Sequence, residues 1–178
     1  MPIGNEIHAW LGGADYNGEV GIQGNSIFWK LSLDGYGYAL MPMEEDLDYY
    51  CQNRSPRPVG KFLDLELPSY RVLAILNTIK RFGSEFGNGT SDYVLKITYH
   101  HTRGRLLECH NPRRWINRHA ECSMDNVTSH VTGSIDSLTT NTEESAYNVL
   151  RPIYEKFSFY EFPRQIVSYC VRKMQESR

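Results

Sequence analysis

The sequence predicts a single α+β domain over residues 1–178, with an antiparallel sheet packed against helices. Three observations predict this class. Short apolar runs separated by glycine-containing turn pairs fill the first 42 residues, a helical apolar repeat follows Pro68, and two more helical repeats lie near the C-terminus. The composition is globular, since 40% of the 178 residues are hydrophobic and only 14 are Gly and 8 are Pro.

An N-terminal antiparallel β-meander is the first predicted feature. Turn pairs such as Asn17-Gly18 and Asp34-Gly35 accept positive φ and typically join hairpin strands. Four strands are predicted, at residues 7–11, 20–23, 27–33 and 36–41. Residues 43–58, with an acidic cluster and two prolines, are predicted to form a loop.

A strand and a central helix follow. Residues 62–67 alternate, with Leu63, Leu65 and Leu67 on one face, which predicts a half-buried strand. Pro68 suits the first turn of a helix, whose apolar repeat runs to Phe82 and is expected to end at Gly83.

A further β-hairpin and strand come next. Residues 94–101 and 106–111 are expected to pair around a turn at Thr102-Arg103-Gly104, with Tyr99 opposite Leu107. This register would place Lys96, Thr98, His100, Glu108 and His110 on one polar face. Residues 126–138 also alternate and predict a half-exposed strand, with Val127, Val131 and Ile135 on one side and Thr128, His130, Thr132 and Ser134 on the other.

Two C-terminal helices complete the expected fold and pack on the sheet. Thr142 with Glu143 and Glu144 resembles a helix start, and the apolar repeat runs to Phe157. Pro163 begins the second helix, which reaches Met174.

The charge is distributed unevenly along the chain. The formal net charge is −2, but residues 100–119 hold five arginines against the single Glu108, a local +4 that leaves −6 for the rest. Four of the six histidines lie in the same window. The guanidinium fork matches phosphate oxygens, and an electropositive strip beside an aromatic residue is typical of phosphate or nucleic-acid contact. The predicted ligand-binding residues are Arg103, Arg105, Arg113, Arg114, Trp115, Arg118 and His119.

The favoured function is therefore a small binding module for a phosphate-bearing ligand, either a nucleotide or a nucleic acid. The alternative for the strip is that its arginines pair with acids of the same chain. A second functional class is a partner-binding protein of the immunity or inhibitor type. Its interface would be the acidic loop 44–50, which contains Tyr49 and Tyr50, or the arginine strip itself.

An enzymatic variant is weaker, and the sequence leaves open whether the protein is an enzyme. His100, Glu108 and His110 would supply a general acid and base on the polar face of the hairpin. The triplets His100-His101-Thr102 and His130-Val131-Thr132 resemble those of two-histidine phosphoesterases, although this resemblance covers six residues only. His100-His101 with Asn111 and His119 resembles nucleases of the His-Asn-His type. These resemblances imply a His-dependent phosphodiesterase or nuclease.

No cofactor or metal is expected. The spacing of Cys109, His110, His119 and Cys122 fits no paired zinc pattern. The N-terminal residues lack a signal-like charged and apolar run, and no segment has about 18 consecutive apolar residues, so a cytoplasmic protein without membrane contact is expected.

Overall fold

The computed structural model describes residues 6–11, 27–32, 35–47, 51, 58–87, 91–109, 120–158 and 161–176. Its internal contacts divide the chain into two units, Met1–Gly60 and Lys61–Arg178. Helices combine with antiparallel and parallel strands, which confirms the α+β class. The assignment of residues 1–178 to one domain stays a prediction.

The N-terminal unit contains a three-stranded antiparallel sheet in the order β1-β2-β3. Its strands are β1 (Glu6–Leu11), β2 (Ile27–Ser32) and β3 (Gly37–Leu40). The β2–β3 turn is closed by a 2.8 Å hydrogen bond from the Ser32 amide to the Tyr36 carbonyl, and Gly35 adopts a φ of 83° there. Three predicted strands of the meander are thus confirmed, while the one at 20–23 lies outside the described residues.

A short 3-10 turn, Glu44–Asp46, follows β3 where a loop was predicted. Glu45 is buried, and its carbonyl accepts hydrogen bonds from the Gly60 amide at 3.0 Å and the Cys51 thiol at 3.4 Å. These contacts fix the turn within its own unit.

The second unit begins with β4 (Phe62–Asp64) and α1 (Leu67–Phe86). All three residues of β4 are buried, so the prediction of a half-buried strand over 62–67 is wrong. The reason is that β4 pairs in parallel with β6 (Leu106–Glu108), and strands in parallel pairs are usually covered on both faces. The Asp64 carboxylate then begins the helix, because its Oδ1 accepts from the Glu66 and Leu67 amides at 2.7 and 3.1 Å.

Helix α1 continues past Gly83, so the predicted end at that glycine is also wrong. Gly83 is buried and faces the side chain of Ile135, while the rings of Phe82 and Phe86 lie 4.9 Å apart in the added turn. The helix ends where the Gly87 amide donates to the Gly83 carbonyl. Gly83 is thus a packing glycine inside the helix.

The strand β5 (Asp92–Tyr99) pairs antiparallel with β7 (Val127–Ser134) along its whole length, from Asp92 opposite Ser134 to Tyr99 opposite Val127. The predicted hairpin, in which residues 94–101 pair with 106–111, is therefore wrong. Residues 106–108 do form a strand, but their partners are β4 and, through a single antiparallel bridge from Leu106, Glu121.

The chain does not reverse at residues 102–104. It bends there and continues beside residues 120–125, which directly precede the β7 end of the hairpin. The Thr102 amide donates to the Asp125 carbonyl, the Cys122 amide to the Arg105 carbonyl, and the Leu107 amide to the Ala120 carbonyl. Between the Tyr99–Val127 and Leu106–Glu121 pairs, six residues of one strand face five of the other. One extra residue defines a β-bulge, and His101, with a φ of 55°, lies in it. Residues 92–108 and 120–134 therefore form one long, bulged hairpin.

Three helices complete the second unit: α2 (Ile135–Thr140), α3 (Thr142–Tyr154) and α4 (Arg164–Glu176). The strand predicted to reach residue 138 stops at Ser134, because the Ser134 hydroxyl accepts from the Ser137 amide and caps α2. The two predicted C-terminal helices are confirmed as α3 and α4.

Helix α1 packs against α2, α3 and α4, and α3 also packs on β7. Of the two C-terminal helices, α3 packs on the sheet as predicted, whereas the main contacts of α4 are with α1 and α3. The buried core of this unit includes Tyr93, Leu95, Tyr99, Val127, Val72, Leu73, Leu76, Leu138, Val149, Leu150, Ile153, Tyr154, Ile166, Val167 and Cys170. Within the described ranges, no helix is both long enough and apolar enough to cross a bilayer.

Candidate functional site

The outward side of the β5–β7 pair is a polar surface on the long hairpin. Successive side chains of a strand point to opposite faces, so Tyr93, Leu95 and Tyr99 enter the core while Val94, Lys96 and Thr98 point outward. The same alternation on β7 buries Val127 and Ser129. We call the opposite side the hairpin face; it consists of Val94, Lys96, Thr98, His100, Asn126, Thr128, His130 and Thr132.

The register aligns these residues in cross-strand pairs. Lys96 lies opposite His130, and Thr98 lies opposite Thr128, with 3.0 Å between their hydroxyl oxygens. Side chains in such pairs are close enough to bind one ligand group together.

His100 and Asn126 form the next pair, with His100 Nδ1 2.8 Å from Asn126 Oδ1. Because an amide oxygen only accepts hydrogen bonds, Nδ1 carries the proton in this arrangement. The Nε2 atom of His100 is then the ring nitrogen left for a ligand.

Hydrogen-bond donors dominate the hairpin face. Lys96 is cationic, the imidazoles of His100 and His130 carry ring N–H groups, and the threonines offer hydroxyls. Within the described segments 94–100 and 126–132, the outward side chains include no carboxylate. Asp92 marks one end of this acid-free stretch, and Asp125 marks the other.

Two predicted ligand-binding arginines follow the bulge and differ in burial. Arg103 is exposed, whereas Arg105 is buried. Arg105 Nε donates to the His101 carbonyl at 2.7 Å, and Nη1 donates to the Phe62 carbonyl at 3.2 Å. The Arg105 guanidinium thus joins the bulge to β4 and has a structural role. The charge pattern of the sequence did not distinguish this role from ligand binding.

The remaining residues of the arginine strip lie on the connection between the two strands of the long hairpin. This connection contains His110, Arg113, Arg114, Trp115, Arg118 and His119, all outside the described residues. On either side of this connection the two strands are hydrogen-bonded, since the Leu107 amide donates to the Ala120 carbonyl at 2.8 Å. In the sequence, these residues fall between the two strands that carry the hairpin face.

The geometry predicted for the trio His100, Glu108 and His110 depended on the hairpin that does not form. His100 follows β5 and is exposed, while Glu108 ends β6, where its carbonyl accepts from the Leu65 amide. His110 lies outside the described residues. The described residues thus give no shared face for His100 and Glu108, and the acid–base role of the trio stays a prediction.

The acidic loop 44–50 is described only in part. Glu45 is buried in the 3-10 turn, Asp46 is exposed and Glu44 is half-exposed, while Tyr49 and Tyr50 lie outside the described residues. No group of three or more His, Cys, Asp or Glu side chains that could hold a metal ion occurs in the described part of the chain.

Two other polar clusters lie between helices of the second unit. Burial raises the pKa of the Tyr70 phenol, with further contributions from the Cys170 thiol and the Glu66 carboxylate. Arg164 lies over the Tyr147 ring, 4.1 Å from its centroid, and forms an ion pair with Glu144. Both clusters join neighbouring helices.

Sequence reasoning missed Lys96, Asn126 and Thr128 as candidate site residues, and it considered His130 only through the resemblance to two-histidine phosphoesterases. The alternation of polar and apolar residues predicted that Lys96 and the outward residues of β7 lie on polar faces. These two faces form one surface only because β5 pairs with β7, more than 25 residues later in the chain. Comparison with protein-family models, with curated proteins and with solved structures gives no match.

Proposed function

We propose that the protein is a small binding module for a phosphate-bearing ligand, which it holds on the hairpin face and through the basic residues of the arginine strip. The observation that carries this proposal is the row of polar groups on paired strands: Lys96 beside His130, then the Thr98 and Thr128 hydroxyls, which share one hydrogen bond and leave one proton for a ligand. His100 continues the row, with its Nδ1 proton donated to Asn126. A phosphodiester presents only acceptor oxygens, so a donor surface without a carboxylate fits it.

The spacing favours an extended polyanion. Lys96 lies on β5, and His100, four residues later, directly follows that strand, which separates them by about 13 Å at about 3.3 Å per residue. A single phosphate group reaches only one end of this row, whereas a nucleic-acid strand contacts both. The described outward side chains include no Phe, Tyr or Trp ring on which a base could stack, so we infer mainly backbone contacts with little sequence preference.

The proposal also includes Arg103 and the basic residues between 109 and 120. Arg105 is assigned a structural role, because its Nε and Nη1 atoms already donate to backbone carbonyls. Arg113, Arg114 and Arg118 keep the ligand-binding role predicted from their sequence, together with Trp115 and His119.

Fluorescence anisotropy with labelled single-stranded DNA and RNA tests the proposal. We expect binding that weakens as salt rises, and a Lys96→Gln variant whose logarithmic salt slope is smaller by about 1. Lys156→Gln is the matched control, since Lys156 is exposed outside the hairpin face. No binding at low salt, or equal loss in both variants, would overturn the proposal.

A graded series separates the two parts of the hairpin. Arg103→Gln and the triple change Arg113→Gln/Arg114→Gln/Arg118→Gln are expected to weaken binding while leaving thermal unfolding unchanged. Addition of a divalent cation to the same mixtures and analysis of the strands for cleavage test the weaker His-dependent phosphodiesterase hypothesis, for which His100→Ala is the loss-of-function variant.

Partner binding of the immunity or inhibitor type is the second candidate function. It is favoured by the 3-10 turn, in which buried Glu45 anchors the backbone while Glu44 and Asp46 remain accessible. The expected partner has a basic surface, and Asp46→Asn would weaken its binding. Co-purification of one dominant protein, lost in that variant, is the expected result. A cytoplasmic location stays a prediction.

A further inference from the structure

We propose that two copies of this chain associate through the outer edges of their β3 strands, which pair antiparallel to form a six-stranded sheet across the dimer. This association concerns the N-terminal unit and goes beyond the proposed ligand binding. In the described part of the chain, β3 is the terminal strand of its sheet, with β2 as its one strand neighbour.

The backbone of β3 offers hydrogen-bonding groups on its outer side. In antiparallel sheets, residues alternately direct their N–H and C=O groups toward one neighbour and then the other. Tyr36 accepts from the Ser32 amide, and the register places Tyr38 opposite Lys30, so these even-numbered residues direct their backbone groups toward β2. Gly37 and Ala39 consequently direct theirs toward the outer edge.

The side chains of this edge are apolar and accessible. Tyr36, Tyr38 and Leu40 are 63%, 48% and 55% exposed, and they share one face of the strand. Although β3 has only four residues, residues 36–41 contain no charged residue and no proline, two of the features by which edge strands avoid pairing with other chains. An exposed apolar patch of this kind marks an association surface.

A two-fold axis at Tyr38 makes the edge complementary to itself. Gly37 of each copy then lies opposite Ala39 of the other, which gives four backbone hydrogen bonds. Tyr38 faces its own counterpart, and Tyr36 faces Leu40. Aromatic and aliphatic cross-strand pairs of this kind stabilise sheets.

Charge favours a second copy as the occupant and antiparallel pairing as its orientation. The uncharged strand does not repel its own copy. The acidic turn Glu44–Asp46 follows β3, so parallel pairing would bring two such turns side by side, whereas antiparallel pairing places them at opposite ends of the interface. Because each copy contributes only five paired residues, the interface is small and the dimer should depend on concentration.

Sedimentation equilibrium of the full chain over a concentration series is the first test. We expect a monomer–dimer equilibrium. Ala39→Pro should weaken it about tenfold or more, since the substitution removes an outward N–H that β2 does not use. Tyr38→Lys should do the same by placing two like charges across the axis. Val94→Lys, at an apolar position that is 71% exposed on β5, is the matched control and should leave the equilibrium unchanged.

A covalent test uses the short distance expected at the axis. Tyr38→Cys should form a disulfide-linked dimer under mild oxidation, since directly opposite residues without hydrogen bonds have Cα atoms close enough for a disulfide. The unsubstituted chain is the control, because Cys51, Cys122 and Cys170 are buried and Cys109 is half-buried. A chain that is monomeric at every concentration, or a dimer that both β3 variants leave intact, would overturn the proposal.

Discussion

Ile135 packs against Gly83 so closely that a β-carbon on residue 83 would lie 2.5 Å from Ile135 Cδ1. This contact joins the last turn of α1 to the first residue of α2, and both residues are buried. It also explains why a glycine, which disfavours helix, lies inside α1.

Gly83→Ala should therefore destabilise the protein. The overpacking penalty of about 1–3 kcal/mol exceeds the gain of about 1 kcal/mol from the helix propensity of alanine. Urea unfolding measures the change. The double change Gly83→Ala/Ile135→Ala should restore part of the loss relative to Ile135→Ala alone, and Ser84→Ala, at the adjacent exposed position, should have little effect. A Gly83→Ala protein as stable as the wild type would contradict the close contact.

Arg105→Met and Arg103→Met should differ sharply. Arg105 is buried and donates to two backbone carbonyls, so its replacement should reduce the free energy of unfolding by about 2–4 kcal/mol. Arg103 is exposed, and its replacement should change stability by less than about 0.5 kcal/mol. Parallel thermal unfolding of the two variants checks this, and equal stability would refute the structural role of Arg105.

Ser129→Ala should stabilise the protein by about 1 kcal/mol. Ser129 is 4% exposed, and its hydroxyl oxygen is buried without a hydrogen-bond partner among the described residues. Removing an unsatisfied polar group recovers part of its desolvation penalty. The neighbouring exposed residue gives the control, since Thr128→Ala loses the hydrogen bond to Thr98 and should be slightly destabilising. A marked loss of stability in Ser129→Ala would indicate that the hydroxyl has a partner.

Stability should decline in acid partly through Glu144. The hydrogen bond and charge of Arg164 hold the pKa of the Glu144 carboxyl below its ordinary value, despite a small opposing effect of desolvation. A depressed pKa contributes stability above the unfolded value of about 4.3, and this contribution disappears as pH falls through the folded pKa.

The exposed position limits this effect to below about 1 kcal/mol. Glu144→Gln should therefore lower stability at neutral pH but flatten the acid limb of the stability profile, whereas Glu85→Gln, at an exposed position on α1, serves as the control. Urea unfolding from pH 6 to pH 3 measures both profiles. Parallel profiles for wild type and Glu144→Gln would contradict the linkage.

Local patterns predicted the elements that depend on local contacts. The apolar repeats of α3 and α4 and the alternation of β5 and β7 were correct because each periodicity belongs to one continuous segment. Which strand pairs with which, in contrast, depends on contacts between residues distant in sequence. A glycine with positive φ, such as Gly104, is typical of a hairpin turn, but here it lies in the bend that follows the bulge. The next residue, the buried Arg105, donates a hydrogen bond to the Phe62 carbonyl of β4.

The candidate site was predictable to a smaller degree. The charge window located Arg103 and His100, both exposed, but it treated Arg105 as equivalent to them. Burial of a guanidinium depends on carbonyls supplied by residues distant in sequence, such as Phe62, which no charge count reveals. Lys96 and His130 became neighbours only through the pairing of β5 with β7.

The single extra residue at His101 shifts the pairing register of the hairpin by one residue. It therefore determines which side chains beyond the bulge face the core. On one side of it, even-numbered residues face each other, as Lys96 faces His130; on the other side, Leu106 faces the odd-numbered Glu121. The length of this segment therefore matters more than the chemistry of residue 101. Exchange of the histidine for asparagine or glycine, which tolerate a positive φ, preserves the register. Deletion of one residue would remove the register shift. Either Arg105 would then point to solvent, or the side chains of the hairpin face would point into the core.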